Sequence, residues 1–557
     1  MNLAEKARQK FADYKVDKIT LFFLAVLMTS FLTHLSFRSS HFQECDSCSM
    51  YDYIYRFPAS AVIYNENLYG QFKTQPEKLH ANLKEDFKLA LYYYKNYIIQ
   101  AAVRVDEYLP RWLRSGLAAS LAGILSFGPG VIAGLLSSPS TTMEGFLSLN
   151  MVVTIFLFHL SVLLAYFTCR RLKLAPGACL LAALFMLFSI SLYSYGYHQS
   201  STIWNIACGA LMLWAAVFYW DKDSLKKYLS RIAWLTGVLV FFDYLVVFYW
   251  LPILAAVYIL KRNELSEGGF IKKTSSVLKT QWPAIFLVAL CGLLFFQPSQ
   301  GYRGAASGLK EFLLYTYYII LNFFSLYNQN YLIDLSQFLF FSALLVVGIW
   351  IMAKQFKQEA NAGGALFKYF VIFLFILFAL ACAARVLSFV PMRHILFLAP
   401  PLFILLAIGL DYLFKKFKIN RIGFLLVAIL IIIGFVSVGQ RMAAAYDNVK
   451  YISVDKDVDQ ILIGDCSFNL LYRKWDKPAA FYHPELLLSG KTYLYISQTI
   501  TFKSLEKYLA SDNLQVVKLK EENMDSDVYF EAYHPLSLMY NRPNGRFITK
   551  FKVYPIK

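Results

Sequence analysis

Residues 232–260 read IAWLTGVLVFFDYLVVFYWLPILAAVYIL, a 29-residue run in which Asp243 is the sole charged side chain. Basic loops stand on both sides of it. Lys222, Lys226, Lys227 and Arg231 precede the run, and Lys261, Arg262, Lys272 and Lys273 follow it. Short loops rich in Lys and Arg stay on the cytoplasmic side of a membrane. One continuous helix would put the two basic loops on opposite sides. Two short helices that turn near Phe242-Asp243-Tyr244 return the chain to the side it left. The pattern therefore predicts a helical hairpin, with its turn near the outer surface and Asp243 exposed there.

The rest of the chain obeys the same rule. Of its 557 residues, 58% are hydrophobic, 17% aromatic and 16% charged. Mean hydropathy is +0.47. So much apolar surface suits a polytopic membrane protein. The net charge of +18 is no argument for nucleic acid, because the Lys and Arg sit in short loops between apolar runs. There they answer to topology and to anionic lipid. Residues 19–37 form the first span, with a basic flank before it and no small-residue cleavage site after it. Residues 149–168, 174–193, 204–219, the hairpin, 281–296, 335–352, 370–387, 395–414 and 424–438 continue the alternation. The count is 11 crossings, with the N-terminus inside and the C-terminus outside.

Two long outer segments interrupt the crossings, at 38–148 and 297–334. Within the first, residues 82–104 read as an amphipathic surface helix. Residues 115–137 read as a re-entrant or interfacial element, since Gly128-Pro129-Gly130 breaks them in the middle. Composition shifts at about Gln440. Residues 1–439 read as the membrane domain and 440–557 as a small extracytoplasmic α/β domain. Strands are predicted at 460–463, 492–497 and 514–519, a helix at 502–510, and some of the pairing parallel. There is no internal repeat, phosphate-binding loop, dinucleotide fingerprint or zinc-protease helix. Cys45 and Cys48 are spaced for a local disulfide or for two free thiols.

Just past the first span comes HFQECDSCSMYDYIYRFP, residues 41–58. It sets Glu44, Asp46 and Asp52 beside Tyr51, Tyr53, Tyr55 and Arg56 at a membrane–water boundary. Tyr alone would anchor an interface. Three carboxylates can also take a proton from an acceptor or hold a divalent ion. Basic and imidazole groups near the same surface are Arg393, His394, Arg303, Arg385 and His198. A guanidinium suits a phosphate, which it grips with two hydrogen bonds. Arg385 would cost about 2.5–3.5 kcal/mol at mid-membrane and snorkels if it lies nearer an end. Asp243 either lines the same cavity or caps a helix. Asp465-Cys466, after a tail strand, reads as structural.

The whole layout resembles the GT-C superfamily of integral-membrane glycosyltransferases, which use polyprenyl-phosphate sugars. Within it the chain looks closest to the aminoarabinose transferase and protein O-mannosyltransferase-like members. Two motifs carry the likeness. Asp46-Ser-Cys-Ser-Met-Tyr51 is similar to the family's acidic residue followed by Tyr, one residue more widely spaced. Met392-Arg393-His394-Ile-Leu-Phe-Leu-Ala-Pro400-Pro401 is similar to its Arg-Tyr-x-x-Pro-x-x-Pro turn before a late helix, with His for Tyr and a different proline spacing. Asp243 stands where relatives usually carry a Thr-Lys type turn.

The resemblance implies an inverting transfer of a sugar from a polyprenyl-phosphate donor to a lipid A, glycan or protein acceptor on the outer face of the cell membrane. Asp46 would be the base, assisted by Asp52 or Glu44. Arg393 would lead the phosphate contacts, with His394, Arg303 and Arg385. His198, Asp243 and Tyr51 would line the cavity. A divalent ion on Asp46 and Asp52 is an option that the sequence does not require. A flippase or transporter of anionic lipid, or a polymerase or ligase of lipid-linked glycans, are the alternatives. The partners are lipids and sugars, with no nucleic acid.

Overall fold

The computed structural model describes residues 17–36, 143–189, 203–264, 270–295, 309–324, 331–356, 362–384 and 393–417. In the tail it describes 454–463, 476–481, 488–497, 514–525 and 545–555, with a few isolated positions besides. Helix α1 (Lys18–Ser36) starts where the Asp17 carboxylate accepts the Thr20 N–H at 2.7 Å, a side-chain cap. Helix α2 (Met143–Arg171) stops at Lys173, whose φ of 63° turns the chain back. Helix α3 (Pro176–Phe188) opens with proline, which needs no N–H partner there. Its preceding amide, Ala175 N–H, donates to the Asp411 carboxylate at 2.8 Å. Helix α4 (Ile203–Trp220) completes the first half.

The hairpin expected from residues 232–260 forms. Helix α5 (Leu225–Leu239) ends in a tight turn, a 3₁₀ segment spans Tyr244–Val246, and α6 (Val247–Leu260) runs back. Then come α7 (Phe270–Phe295), α8 (Leu309–Phe324), α9 (Tyr331–Gln355) and α10 (Ala362–Ala383). A second 3₁₀ segment, Arg393–Leu398, leads into α11 (Ala399–Phe417).

Among the described residues, six helices are long and apolar enough to cross a membrane. These are α1, α2, α4, α9, α10 and the stretch Ile395–Phe417. The count of 11 crossings is therefore not met. Helix α3 has 13 residues where 20 were expected, because the chain turns extended at Ser189 (ψ 127°). The hairpin helices are short by construction. Helix α7 carries Lys272, Lys273 and Lys279 in its first half, ahead of the apolar stretch. The expected crossing at 424–438 lies outside the continuously described residues, as do the surface helix at 82–104, the element at 115–137 and the tail helix at 502–510.

Helix α4 packs on α2, α5 on α7, α6 on α10, and α11 on both α3 and α9. The centre is α3, α4 and α11, whose apolar side chains are almost wholly buried. On α1 and α9, Leu21, Met28, Leu32, Leu339 and Val346 are exposed, as a lipid-facing surface requires. Two glycines let α9 and α11 touch backbone to backbone. A Cβ on Gly348 would lie 2.2 Å from the Leu405 carbonyl oxygen, and one on Gly409 would lie 2.4 Å from that of Leu344. Gln281 ties the hairpin to α7. Its amide donates to the Leu229 carbonyl at 2.8 Å, and its oxygen accepts the Trp250 indole N–H at 2.9 Å.

Ion pairs gather the charged helix ends at one end of the bundle. Arg170 meets Asp17 at 2.7 Å, Arg171 meets Asp221 at 3.8 Å, and Lys415 meets Asp411 at 2.6 Å. The Asp243 turn and the Arg393–Leu398 segment lie at the opposite end, since the helices that reach them start or finish among these charges.

In the tail, β1 (Gln460–Ile463), β2 (Ala479–Phe481), β3 (Thr492–Ser497), β4 (Leu514–Asp525) and β5 (Gly545–Pro555) form one sheet of order β2-β1-β3-β5-β4. The β1 strand pairs parallel with β2 and β3, while β5 pairs antiparallel with β3 and β4. The three strands read from the sequence and the parallel pairing are present. Strands β2 and β5 were not anticipated.

Candidate functional site at the Asp243 turn

The end of α5 winds tightly. Phe242 and Asp243 amides both donate to the Leu239 carbonyl at 2.9 Å. Asp243 then adopts extended backbone angles (φ −155°, ψ 116°), and its Oδ1 accepts the Leu245 N–H at 2.9 Å. Asp is favoured here because its short side chain bridges the two residues of the break. The expectation that Asp243 is exposed is not met: it is 5% exposed. Phe242 stacks on Trp204 at the start of α4, with centroids 4.7 Å apart and planes 17° apart.

Two polar atoms, one in this turn and one at the start of α4, are buried without a hydrogen-bond partner. One is Oδ2 of Asp243 and the other is Nε1 of Trp204, itself 5% exposed. Each unmet buried group costs about 1–3 kcal/mol. Such a cost persists in native proteins chiefly where it serves something else. Cys208, Tyr249 and Cys291 lie within electrostatic reach of the carboxylate. Among the described residues, no cation pairs with its Oδ2.

Tyr249 connects this turn to the Arg393–Leu398 segment. Its hydroxyl donates to the Phe397 carbonyl. Its ring fills the space over Gly209, where a Cβ would stand 2.6 Å from it. Phe248 also meets Phe397, centroid to centroid at 5.4 Å. The 3₁₀ segment packs on α4 as well. The structure thus brings together two of the elements singled out in the sequence, the Asp243 turn and the segment that begins at Arg393. The side chains of Arg393 and His394 lie outside the described residues. So do Glu44, Asp46, Tyr51, Asp52, His198, Arg303, Arg385 and the pair Cys45 and Cys48.

Sequence reasoning missed a second polar cluster, between α1 and α2. His159 Nδ1 stands 2.8 Å from the Ile155 carbonyl, so that nitrogen carries the hydrogen and donates. Nε2 of His159 is then an acceptor. His34 Nδ1 donates to it at 3.2 Å and the Ser30 hydroxyl at 3.1 Å. Farther along the same seam, Thr20 and Tyr166 share a hydrogen bond of 2.8 Å. At the charged end, burial pushes the Asp17 carboxyl up, but its Thr20 hydrogen bonds and Arg170 outweigh that and hold it below its usual range. An ionisable residue inside each of two apolar runs was the available signal.

Among the described residues, no three His, Cys, Asp or Glu side chains gather as a metal site would need. No protein-family model matches the chain, and no curated protein matches it significantly, so its function rests on its own residues.

Proposed function

We propose that the protein is an inverting glycosyltransferase of GT-C type, moving a sugar from a polyprenyl-phosphate donor to an acceptor at the outer face of the membrane. The observation that carries this reading is the meeting of two elements at the end of the bundle opposite its ion pairs. These are the interrupted hairpin at Asp243 and the 3₁₀ segment opening with Arg393 and His394, tied together through Tyr249 and Phe397. Charged groups gathered at the other end support a cytoplasmic N-terminus and an outward-facing site. The tail sheet then belongs to an extracytoplasmic domain.

In this reaction the acceptor oxygen or nitrogen attacks the anomeric carbon, and the bond from that carbon to the phosphate oxygen breaks. The leaving polyprenyl phosphate takes the bonding pair. The acceptor's proton passes to Asp46, with Asp52 or Glu44 assisting. Arg393, with His394, Arg303 and Arg385, meets the charge growing on the phosphate. One displacement inverts the anomeric centre, so the paired carboxylates of soluble glycosidases are not needed. Asp46 and Asp52 offer hard oxygen donors that suit a divalent ion, which would supply further charge at the phosphate. The acceptor, whether lipid A, glycan or protein, is set by surfaces beyond this chemistry.

The test uses purified wild type and Asp46→Asn in detergent, given a panel of polyprenyl-phosphate sugars and a crude membrane extract. Free polyprenyl phosphate is followed by mass spectrometry. Release by wild type, lost in the variant while lipid-sugar binding persists, is expected. Unchanged release in the variant would move the base to Asp52 or Glu44. Binding of the lipids with no release by wild type would replace the transferase with a lipid transporter.

A further inference from the structure

The second half of α4 reaches the surface of the bundle along one stripe. Leu211, Trp214 and Phe218 are part-exposed, while Met212, Leu213, Ala215, Ala216 and Val217 between them are buried. Steps of three and four residues keep the stripe on one face of the helix. Lys222 continues it at the same spacing, just past the last turn, and is exposed. The aromatic members touch. Trp214 stacks on Phe218 with centroids 4.9 Å apart and planes 17° apart, and Tyr219 meets Phe218 edge-on at 5.0 Å. Lys222 Nζ lies 4.4 Å from the Phe218 centroid, and the Arg171 guanidinium, at the end of α2, lies 5.9 Å from the same ring. A ring holds a cation in place without cancelling its charge.

Charge does not balance at this corner. Arg171, Lys222, Lys227 and Arg231 stand against two carboxylates, Asp221 and Asp223. Asp223 is occupied by Arg231 at 2.7 Å and Lys227 at 3.3 Å. Arg171 has Asp221 at 3.8 Å, too long for a hydrogen bond, and among the described residues its Nε has no hydrogen-bond partner. Its neighbour Arg170, by contrast, meets Asp17 at 2.7 Å. The Arg171 side chain is nonetheless 33% exposed. We infer that the ends of α2 and α4 form a seat for an anionic glycerophospholipid, in the leaflet at the charged end of the bundle. Arg171 and Lys222 hold its phosphate, and Phe218, Trp214 and Leu211 lie along its glycerol and acyl chain. A guanidinium grips phosphate with two hydrogen bonds, and aromatic rings favour the headgroup level. A soluble anion would leave the stripe unused, and a zwitterionic head would bring its own cation to a corner already positive. Basic loops attract anionic lipid everywhere. What singles out this corner is two cations over one ring, with a part-exposed stripe leading away from them. The seat is separate from the proposed sugar transfer, which belongs to the opposite end, and neither depends on the other.

The test uses the full-length protein purified in detergent. Native mass spectrometry counts bound lipid while phosphatidylglycerol, phosphatidylethanolamine or phosphatidylcholine of one chain length is titrated. The first phosphatidylglycerol should bind more tightly than either zwitterion. Arg171→Gln and Lys222→Gln should each weaken it about fivefold, as for one basic residue at an anionic surface. Lys354→Gln removes a cation from the same end of the bundle, where it lies 4.3 Å from the Trp350 ring, and should leave that first affinity unchanged. Equal losses in all three variants would mean diffuse attraction and would overturn the seat. Glycerol 3-phosphate, matched to the lipid in concentration, should displace nothing. Displacement by it would mean a site for soluble phosphate and would overturn the lipid assignment.

A second measurement leaves every charge in place. Brominated acyl chains quench tryptophan fluorescence on contact. The share owed to Trp214 is the difference between wild type and Trp214→Phe, which keeps a ring to stack on Phe218. Both proteins are placed in phosphatidylcholine nanodiscs, with a minor fraction of the lipid replaced by brominated phosphatidylglycerol or by the same amount of brominated phosphatidylcholine. The Trp214 share should be quenched more strongly by the anionic lipid. Equal quenching by the two would show that nothing holds the anionic lipid beside α4, and the seat would fall.

Discussion

Gln281 shows how far one polar side chain can hold an apolar hairpin together. It is fully buried, and it joins α5, α6 and α7 through two hydrogen bonds. Gln281→Leu has nearly the same volume but abandons the Trp250 indole N–H inside the protein. The loss should be about 1–3 kcal/mol, the usual cost of a stranded buried donor. It is read as a lower melting temperature than wild type in the same detergent. Pairing it with Trp250→Phe, which removes the stranded donor, should recover part of the loss. No recovery would mean that the damage is one of shape. The same logic separates Gln281 from Asp243 and Trp204. All three are buried, but Gln281 has both its side-chain groups bonded within the protein, whereas Asp243 Oδ2 and Trp204 Nε1 have no partner.

At the scale of elements, the contact between α9 and α11 depends on the absence of two side chains. Gly348→Ala or Gly409→Ala would drive a methyl group into a facing carbonyl oxygen, with backbone rather than a flexible side chain in the way. The helices must then separate, and overpacking of this kind costs about 1–3 kcal/mol. Either variant should melt earlier than wild type, while alanine at the open position Gly490 is no test because its φ of 82° strains any side chain. The hairpin was legible in the sequence because its length and flanking charges conflict unless it turns, and the turn falls where expected. The burial of Asp243 was not legible. A charge in a turn is read as seeking water, and nothing local announces that Trp204, 38 positions before Phe242, stacks on that neighbour. The His34–His159 contact was hidden for the same reason, being set by the register of two helices 125 residues apart. Strand β5 did carry a signal, since Thr549, Phe551 and Val553 alternate and are buried. Strand β2, at three residues, is too short to carry one.

At the scale of the whole molecule, the tail sheet has its own dependence on pH. Lys550 reaches Asp455 at 2.8 Å and Asp457 at 2.6 Å. Its hydrogen bonds to Asp455 and Asp457 hold the ammonium above its usual range. Lys550 in turn lowers the Asp457 carboxyl, and the Thr492 N–H and Lys491 lower that of Asp459. A depressed carboxyl stabilises the fold above its unfolded value and loses that contribution as pH falls through the folded value. A raised lysine contributes below its unfolded value and loses that as pH rises through the folded one. The advantage of wild type over Lys550→Ala should thus be full between about pH 4 and pH 10, near the ordinary values of the two groups. It should fade on either side, as followed by the pH dependence of melting in the full-length protein. An advantage that stayed constant below pH 3 would show that Lys550 acts through packing instead.

The bond from Ala175 N–H to Asp411 spans 236 residues of chain. In a growing polypeptide that separation is an interval of time. At about 5–20 residues per second, Asp411 is made roughly 10–50 seconds after the amide it serves. Throughout that interval the start of α3 must stand in the bilayer, or beside whatever guides it there, with this amide unanswered. The proline at its first position leaves one fewer amide waiting. Assembly of the central layer is therefore ordered by synthesis: α3 is placed early and locked late, when α11 arrives carrying both its cap and the lysine that balances the cap's charge.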